Sequence, residues 1–210
     1  MEADLDAALE LLDVHYEAFH TARKFAERTG HTAPSDTKSW SEILTALLTG
    51  LRGRDRQKGS DLADGSDVKA ANWWGSIDRV RFNGVLPSGR KSKKSKKPQN
   101  VSALDDMPYL FFVLWDHRDG IVPRCRVWVV RPPTDPLFRR MAAGWYGADT
   151  SDNFQLHPPL DDNADVIRNS WGTLSYPLYF AAERNQGDGF QVVHFDPGAL
   201  TSGRCSDPLS

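Results

Sequence analysis

Cysteine is scarce in this chain, with two residues in 210, Cys125 and Cys205. Two distant thiols build neither a disulfide framework nor a zinc knuckle, so both read as reduced and incidental. Long apolar runs are missing too. No stretch approaches the ~18–20 apolar residues of a membrane span, and the first residues are acidic where a secretory leader carries positive charge. The expected location is the cytoplasm, with no membrane partner. The six histidines (15, 20, 31, 117, 157 and 194) show no ligand spacing, and His15 and His20, five apart, miss a shared helical face. A histidine-held metal is therefore not expected.

What is present is a chain of 210 residues, 40% hydrophobic, long enough to bury a core as a single domain spanning 1–210. The formal net charge is only −2, but the charges are segregated. Residues 1–51 carry 4 basic and 9 acidic side chains, residues 52–97 carry 13 and 5, and residues 98–210 carry 9 and 14. The middle is a basic island, which concentrates a polyanion at one face whatever the global sum. Its densest part, GRKSKKSKKP, holds Lys93, Lys94, Lys96 and Lys97 in a solvated tract suited to a phosphate backbone.

Periodicity organises the rest. Leu5, Ala8, Leu9, Leu12, Tyr16, Phe19 and Ala26 fall on one helical stripe over residues 5–28. A second helix is predicted over 40–51 with Ile43, Leu44, Leu47 and Leu48 inward, Ser39 as its cap and Glu42 completing a capping box. Asp64-Gly65 between two short extended runs signals a β-hairpin. Residues 109–115 (YLFFVLW) read as a strand buried on both faces, and 125–130 (CRVWVV) as one that alternates more. A helix over 136–146 opened by Asp135 follows, then strands at 154–156, 176–182 and 190–195. The fold class is α+β, a mixed central sheet flanked by helices. Residues 1–51 form a helical part, 52–131 a core with the basic loop, and 132–210 a C-terminal part expected to help read DNA.

The chemistry-bearing constellation lies in the hairpin. On a strand, Asp67 and Lys69 point the same way, setting a carboxylate beside an ammonium, with Asp61 upstream across a tight turn. Phosphodiester hydrolysis needs a hard divalent cation on oxygen ligands, a group to orient water, and positive charge for the phosphorus. Two aspartates, one carbonyl and one lysine supply that set. The triplet alone is weak, since 28 acids and 9 lysines in 210 residues yield about one acidic-x-Lys match by chance. Asp36-Thr37-Lys38 is a second match, in a loop before a helix, and reads as accidental.

The order of these parts resembles the PD-(D/E)xK nuclease superfamily: a helix acid at Glu42, Asp61, the triplet Asp67-Val68-Lys69, then buried strands. Longer phrases, KSWSEILTALLTG, KGSDLADGSDVKAAN, RFNGV, DDMPYLFFVLWD, RVWVV and SDNFQLHPP, resemble the MamI family of type II restriction endonucleases from about residue 38 to 184. The resemblance implies that Asp61, Asp67 and the carbonyl of Val68 ligate Mg²⁺. It implies that Lys69 positions the attacking water and that Glu42 assists it. The chain departs from the superfamily pattern: Ser60 stands in place of Pro, Asp67 in place of the commoner Glu, and only five residues separate the two aspartates. In a strict two-residue turn Asp61 would face Val68, on the wrong side. A bulge or wider turn must correct this, or another acid, Asp55, is the partner.

Each of these residues also has a plain structural role open to it: Asp61 and Asp64 as turn formers, Glu42 as a cap, Lys69 as an edge residue. Beyond the core, Arg79, Arg81 and Asn83 carry donors for phosphates or purine edges, and Asn153, Gln155 and His157 alternate along a predicted strand as a base-reading row. Trp73 and Trp74 suit stacking, though tryptophan is more often structural. The expected function is Mg²⁺-dependent cleavage of double-stranded DNA at a specific, palindromic site by a homodimer, since two strands related by a two-fold need two sites. The rival readings are a non-catalytic or regulatory DNA-binding protein, a repair or structure-specific nuclease, and a hydrolase of another phosphate ester.

Overall fold

The computed structural model describes residues 2–54, 59–74, 80–86, 100–148, 154–159, 176–185 and 187–201. Helix α1 (Leu5–Thr29) is capped by Asp4, whose carboxylate accepts the Ala7 N–H at 3.0 Å, and ends at Gly30 in the left-handed conformation. Its inward line is Ala8, Leu12, His15 and Phe19. The predicted stripe therefore holds only as far as Phe19, and it gains a buried histidine.

Helix α2 (Lys38–Thr49) starts two residues before its predicted position and buries Ser41, Leu44, Thr45 and Leu48. Ile43 is half exposed rather than inward. Ser41 turns in because the helix packs under Trp115, whose indole N–H donates to Ser41 Oγ at 2.8 Å. No capping box forms: Ser39 lies inside the helix, the N-cap Thr37 makes no side-chain cap bond, and Asp36 accepts the Lys38 N–H instead. Glu42 is thus free of the capping role and pairs with Lys38, one turn back, at 3.4 Å.

Five strands form one sheet in chain order: β1 (Asp67–Trp73), β2 (Leu110–Asp116), β3 (Arg124–Val130), β4 (Leu178–Asn185) and β5 (Gly189–Phe195). β1 runs parallel to β2 and the other pairs are antiparallel, so the sheet is mixed and the fold α+β, as expected. β2 is wholly buried. β3 does not alternate: six of its seven residues are buried, Arg126 included, because both faces are covered. On one side α1 and α2 pack over Val68, Phe111, Val113, Trp115, Val127 and Val129. On the other, Phe112, Leu114, Trp128 and Val130 meet helix α3 (Pro136–Gly147), which Asp135 caps by accepting the Phe138 N–H at 2.8 Å.

The stretch predicted as a strand at 154–156 makes only an isolated bridge, Phe82 to Leu156, its side chains held in the α3-side core. Among the described residues no helix is long and apolar enough to cross a membrane.

Candidate active site

Among the described residues β1 pairs only with β2, as an edge strand, and the site forms at its N-terminal end. The chain enters through residues 61–66. The Leu62 N–H donates to Ser66 O at 3.0 Å, and the Gly65 N–H returns to Leu62 O at 3.2 Å, so the loop holds three residues rather than two. Asp64 makes both ends of the turn compatible, accepting the Ser66 N–H and the Ser66 hydroxyl at 2.9 Å each. Gly65 has φ +103°, and a Cβ there would lie 2.8 Å from the Asp106 carbonyl. Upstream, residues 61–63 pair back with 52–54 through Arg54 N–H to Asp61 O and Ala63 N–H to Arg52 O, both 2.8 Å. The expected two-residue hairpin is corrected accordingly. The wider loop shifts the pairing by one residue, and in a period-two element one residue decides the face.

The shift sets Asp61 opposite Asp67. Asp61 is buried and its Oδ2 accepts the Val68 N–H at 2.9 Å. The Asp67 N–H instead donates to Tyr109 O, toward β2, so the Val68 peptide edge faces away from the sheet, beside Asp61. The two carboxyls lie within hydrogen-bonding reach of each other. Burial first, and then contact with Asp61, push the Asp67 carboxyl up to about 6, against the opposing pull of Lys69. Lys69 Nζ hydrogen-bonds to Asp67 Oδ2, and both side chains are largely shielded.

A cavity of about 340 Å³ opens over this group, lined by Lys38, Gly59, Asp61, Asp67, Val68, Lys69, Ala70 and Asn83. Asn83, placed near the reactive strand by sequence reasoning, does reach it. Lys38, set aside as part of a chance triplet, reaches it as well. The residue's own triplet is not on a strand, but α2 carries its side chain to the mouth of the site. The available signal was its one-turn spacing from Glu42 on a helix. Glu42 itself lies behind Asp61, in an adjoining hollow with Arg52 and Arg54, and contacts the catalytic cavity through Lys38.

The remaining predicted residues do not converge here. Arg81 is half-buried and does not line the cavity. His157 is occupied structurally, its Nδ1 donating to Val80 O at 2.8 Å. Gln155 flanks the buried Leu156 beside it, outside the cavity. Trp74 is buried against Phe19 and His117 with its N–H on Pro34 O, and Trp73 lies under the Arg118 guanidinium, so neither is free to wedge into a duplex. Asp55, Arg79, Lys93, Lys94, Lys96, Lys97 and Asn153 lie outside the described residues.

Among the described residues no group of three His, Cys, Asp or Glu side chains is arranged to hold a metal. Two carboxylates and one carbonyl nevertheless suit Mg²⁺, which takes one or two protein carboxylates and keeps several waters. Asp61 and Asp67 face each other in a shielded spot, where either a shared proton or a cation must relieve their repulsion. A larger hollow of about 550 Å³ at the far end of β1 is lined by Phe19, Arg23, Trp74, His117 and Asp119. Its two carboxylates, Glu27 and Asp119, are both taken by the Arg23 guanidinium at 2.8 and 2.7 Å, so the smaller cavity, with Asp61 beside Asp67, is the candidate for the chemistry.

The family model described as MamI restriction endonuclease matches residues 24–188. The chain is 31% identical over 180 aligned residues to the type II restriction enzyme MamI of Microbacterium ammoniaphilum, covering 79% of this chain and 58% of that protein. This chain thus spans less than two thirds of the length of its relative.

Proposed function

The chain belongs to the MamI restriction endonuclease family, and on that premise we propose that it hydrolyses phosphodiester bonds of double-stranded DNA at a specific, palindromic site, with Mg²⁺ as cofactor, in the cytoplasm. The observation that carries the reading is the convergence of Asp61, Asp67 and Lys69 in one cavity at an open sheet edge.

Asp61 and Asp67, with the Val68 carbonyl, are the residues to hold the cation. When bound, it supplies Lewis-acid charge at the phosphate and makes water a better nucleophile near neutral pH. The chain's own groups do the rest. Asp61 is anchored by the Val68 N–H, so it keeps its place when Asp67 gives up its proton. Lys69 stays on Asp67, where its ammonium orients water and offsets charge growing on the phosphoryl oxygens. Asn83, at the opposite wall, offers an amide to a phosphate or base edge. The basic tract with Lys93, Lys94, Lys96 and Lys97, together with Arg79 and Arg81, supplies backbone attraction. Asn153 and Gln155, in the part of the chain after residue 132, are assigned to recognition; His157, whose Nδ1 is taken by the Val80 carbonyl, is not. A homodimer completes the reading, because one chain presents one such cavity and a palindrome has two equivalent strands.

The test is plasmid cleavage by the purified chain with Mg²⁺, with EDTA, and with Asp67→Asn. Discrete fragments that vanish in EDTA and in the variant are expected. An intact plasmid under every condition would leave a DNA-binding protein without nuclease activity, and scattered cuts would indicate a structure-specific nuclease.

A further inference from the structure

We infer that Lys38 is a second substrate-contacting cation of this site: from the first turn of α2 its ammonium binds a DNA phosphate beside the one being cut, with Glu42 as the residue that aims it. The inference rests on the proposed nuclease reading and extends it to a residue of another element.

Three observations lead there. Lys38 lines the same cavity as Asp61, Asp67 and Lys69, although α2 and β1 are separate in the chain. It is more than half exposed, so its ammonium reaches a ligand entering from solvent. Its contact with Glu42 is loose at 3.4 Å, while Glu42 Oε1 is shut away from solvent with no hydrogen-bond partner. A buried acceptor without a partner is expensive unless a charge nearby compensates it. Lys38 supplies that charge, and the pairing restricts a flexible four-carbon stem to one direction. Glu42, Asp61 and Asp67 together also hold the Lys38 ammonium in its charged form.

Charge balance shows why one lysine is not enough. Two carboxylates are matched by one divalent cation, and Lys69 is held on Asp67. A phosphodiester brings one negative charge and carries a second once the adding water has given up its proton to solvent. Lys38, which Glu42 engages only loosely, is a further cation on the cavity wall to face that charge. The alternative fate for Lys38, an ordinary one-turn pair on a helix surface, stabilises little and gives no reason for it to line this cavity.

Phosphate contacts have a signature that structural lysines lack, a contribution to the salt dependence of DNA binding. The test titrates a labelled double-stranded oligonucleotide in Ca²⁺ across a KCl series with the wild-type chain, Lys38→Gln, Lys38→Arg and Glu42→Gln, and measures plasmid cleavage of each in Mg²⁺. For Lys38→Gln the slope of log affinity against log salt should become shallower by about one, with cleavage slowed by about 10- to 100-fold. Lys38→Arg should restore the slope. Glu42→Gln should keep the slope while slowing cleavage, as a positioning residue would. A Lys38→Gln protein with the wild-type slope overturns the inference, whatever its rate. If the wild-type chain leaves plasmid intact but Lys38→Gln still lowers the slope, the nuclease reading fails and the phosphate contact stands.

Discussion

Asp61 Oδ2 accepts the backbone N–H of Val68 at 2.9 Å, a carboxylate reaching across its own turn to the free edge of the strand that carries its partner Asp67. That bond holds Asp61 in place at the wall of the cavity. It also means that the proposed metal-holding pair depends on the loop between them.

Gly65 is where that dependence is testable. At φ +103°, with the Asp106 carbonyl 2.8 Å from any added Cβ, alanine must strain or move the loop. Gly65→Ala should lose about 1–3 kcal/mol in urea unfolding. Cleavage should fall further than stability explains, because Asp61 shifts relative to Asp67. Unchanged cleavage in a folded variant would mean that the loop does not set the site.

Removing the charge on Asp67 should separate stability from activity. Its carboxyl is raised from the ordinary value of 3.8 to about 6, so the folded chain binds that proton more tightly than the unfolded chain. The penalty for ionising it is fully present above pH 6, and it fades as pH falls toward 4. In the absence of metal, Asp67→Asn should therefore be more stable than wild type at pH 7.5 by about 1–3 kcal/mol. That advantage should vanish near pH 4, while cleavage drops by more than about 100-fold. Equal stability of the two at pH 7.5 would contradict the raised carboxyl.

The same proton predicts a pH dependence of cation binding. Asp67 must be ionised to act as a ligand, so Mg²⁺ affinity, measured by calorimetry, should weaken steadily as pH drops through about 6. Stabilisation by added Mg²⁺ in thermal unfolding should weaken in parallel. A flat affinity between pH 5 and 8 would argue against Asp67 as a ligand.

A cluster that no periodicity announced makes the fold acid-sensitive. His117 and His15 stand 5.3 Å apart between Trp115, Trp74, Phe19 and Tyr16, and burial lowers them to about 3 and about 4. Both ring nitrogens of His117 are buried without partners. Lowered values mean that the neutral rings stabilise the fold above pH 6.5, and that this is lost as pH falls from 6.5 toward 4. His117→Phe should reduce the loss of stability over that window, read by urea unfolding with tryptophan fluorescence. Wild-type acid sensitivity in this variant would assign the effect elsewhere.

Much of the architecture was legible locally. The apolar run of β2, the Asp135 cap of α3 and the helical spacing of α1 each follow from short-range pattern, and each element formed within a few residues of its expected bounds. The errors share a cause. Ile43 was expected inward and is half exposed while Ser41 is buried, because hydropathy alone does not reveal an indole N–H seeking a hydroxyl. Gln155 and His157 were read as a strand face, yet a single bridge and a carbonyl claim that segment.

The sequence by itself singled out Asp61, Asp67 and Lys69 as candidates and located most helices and strands, because both depend on side-chain identity and on periods of two or 3.6 that neighbouring residues impose. Tertiary structure alone decided that Asp61 faces Asp67, since the loop length turns on a left-handed glycine wedged under Asp106 and on the Tyr109 carbonyl that holds the start of β1. It alone brought Lys38 to the cavity and His15 to His117. Such meetings arise from the packing of α1 and α2 on the sheet, which no window along the chain contains.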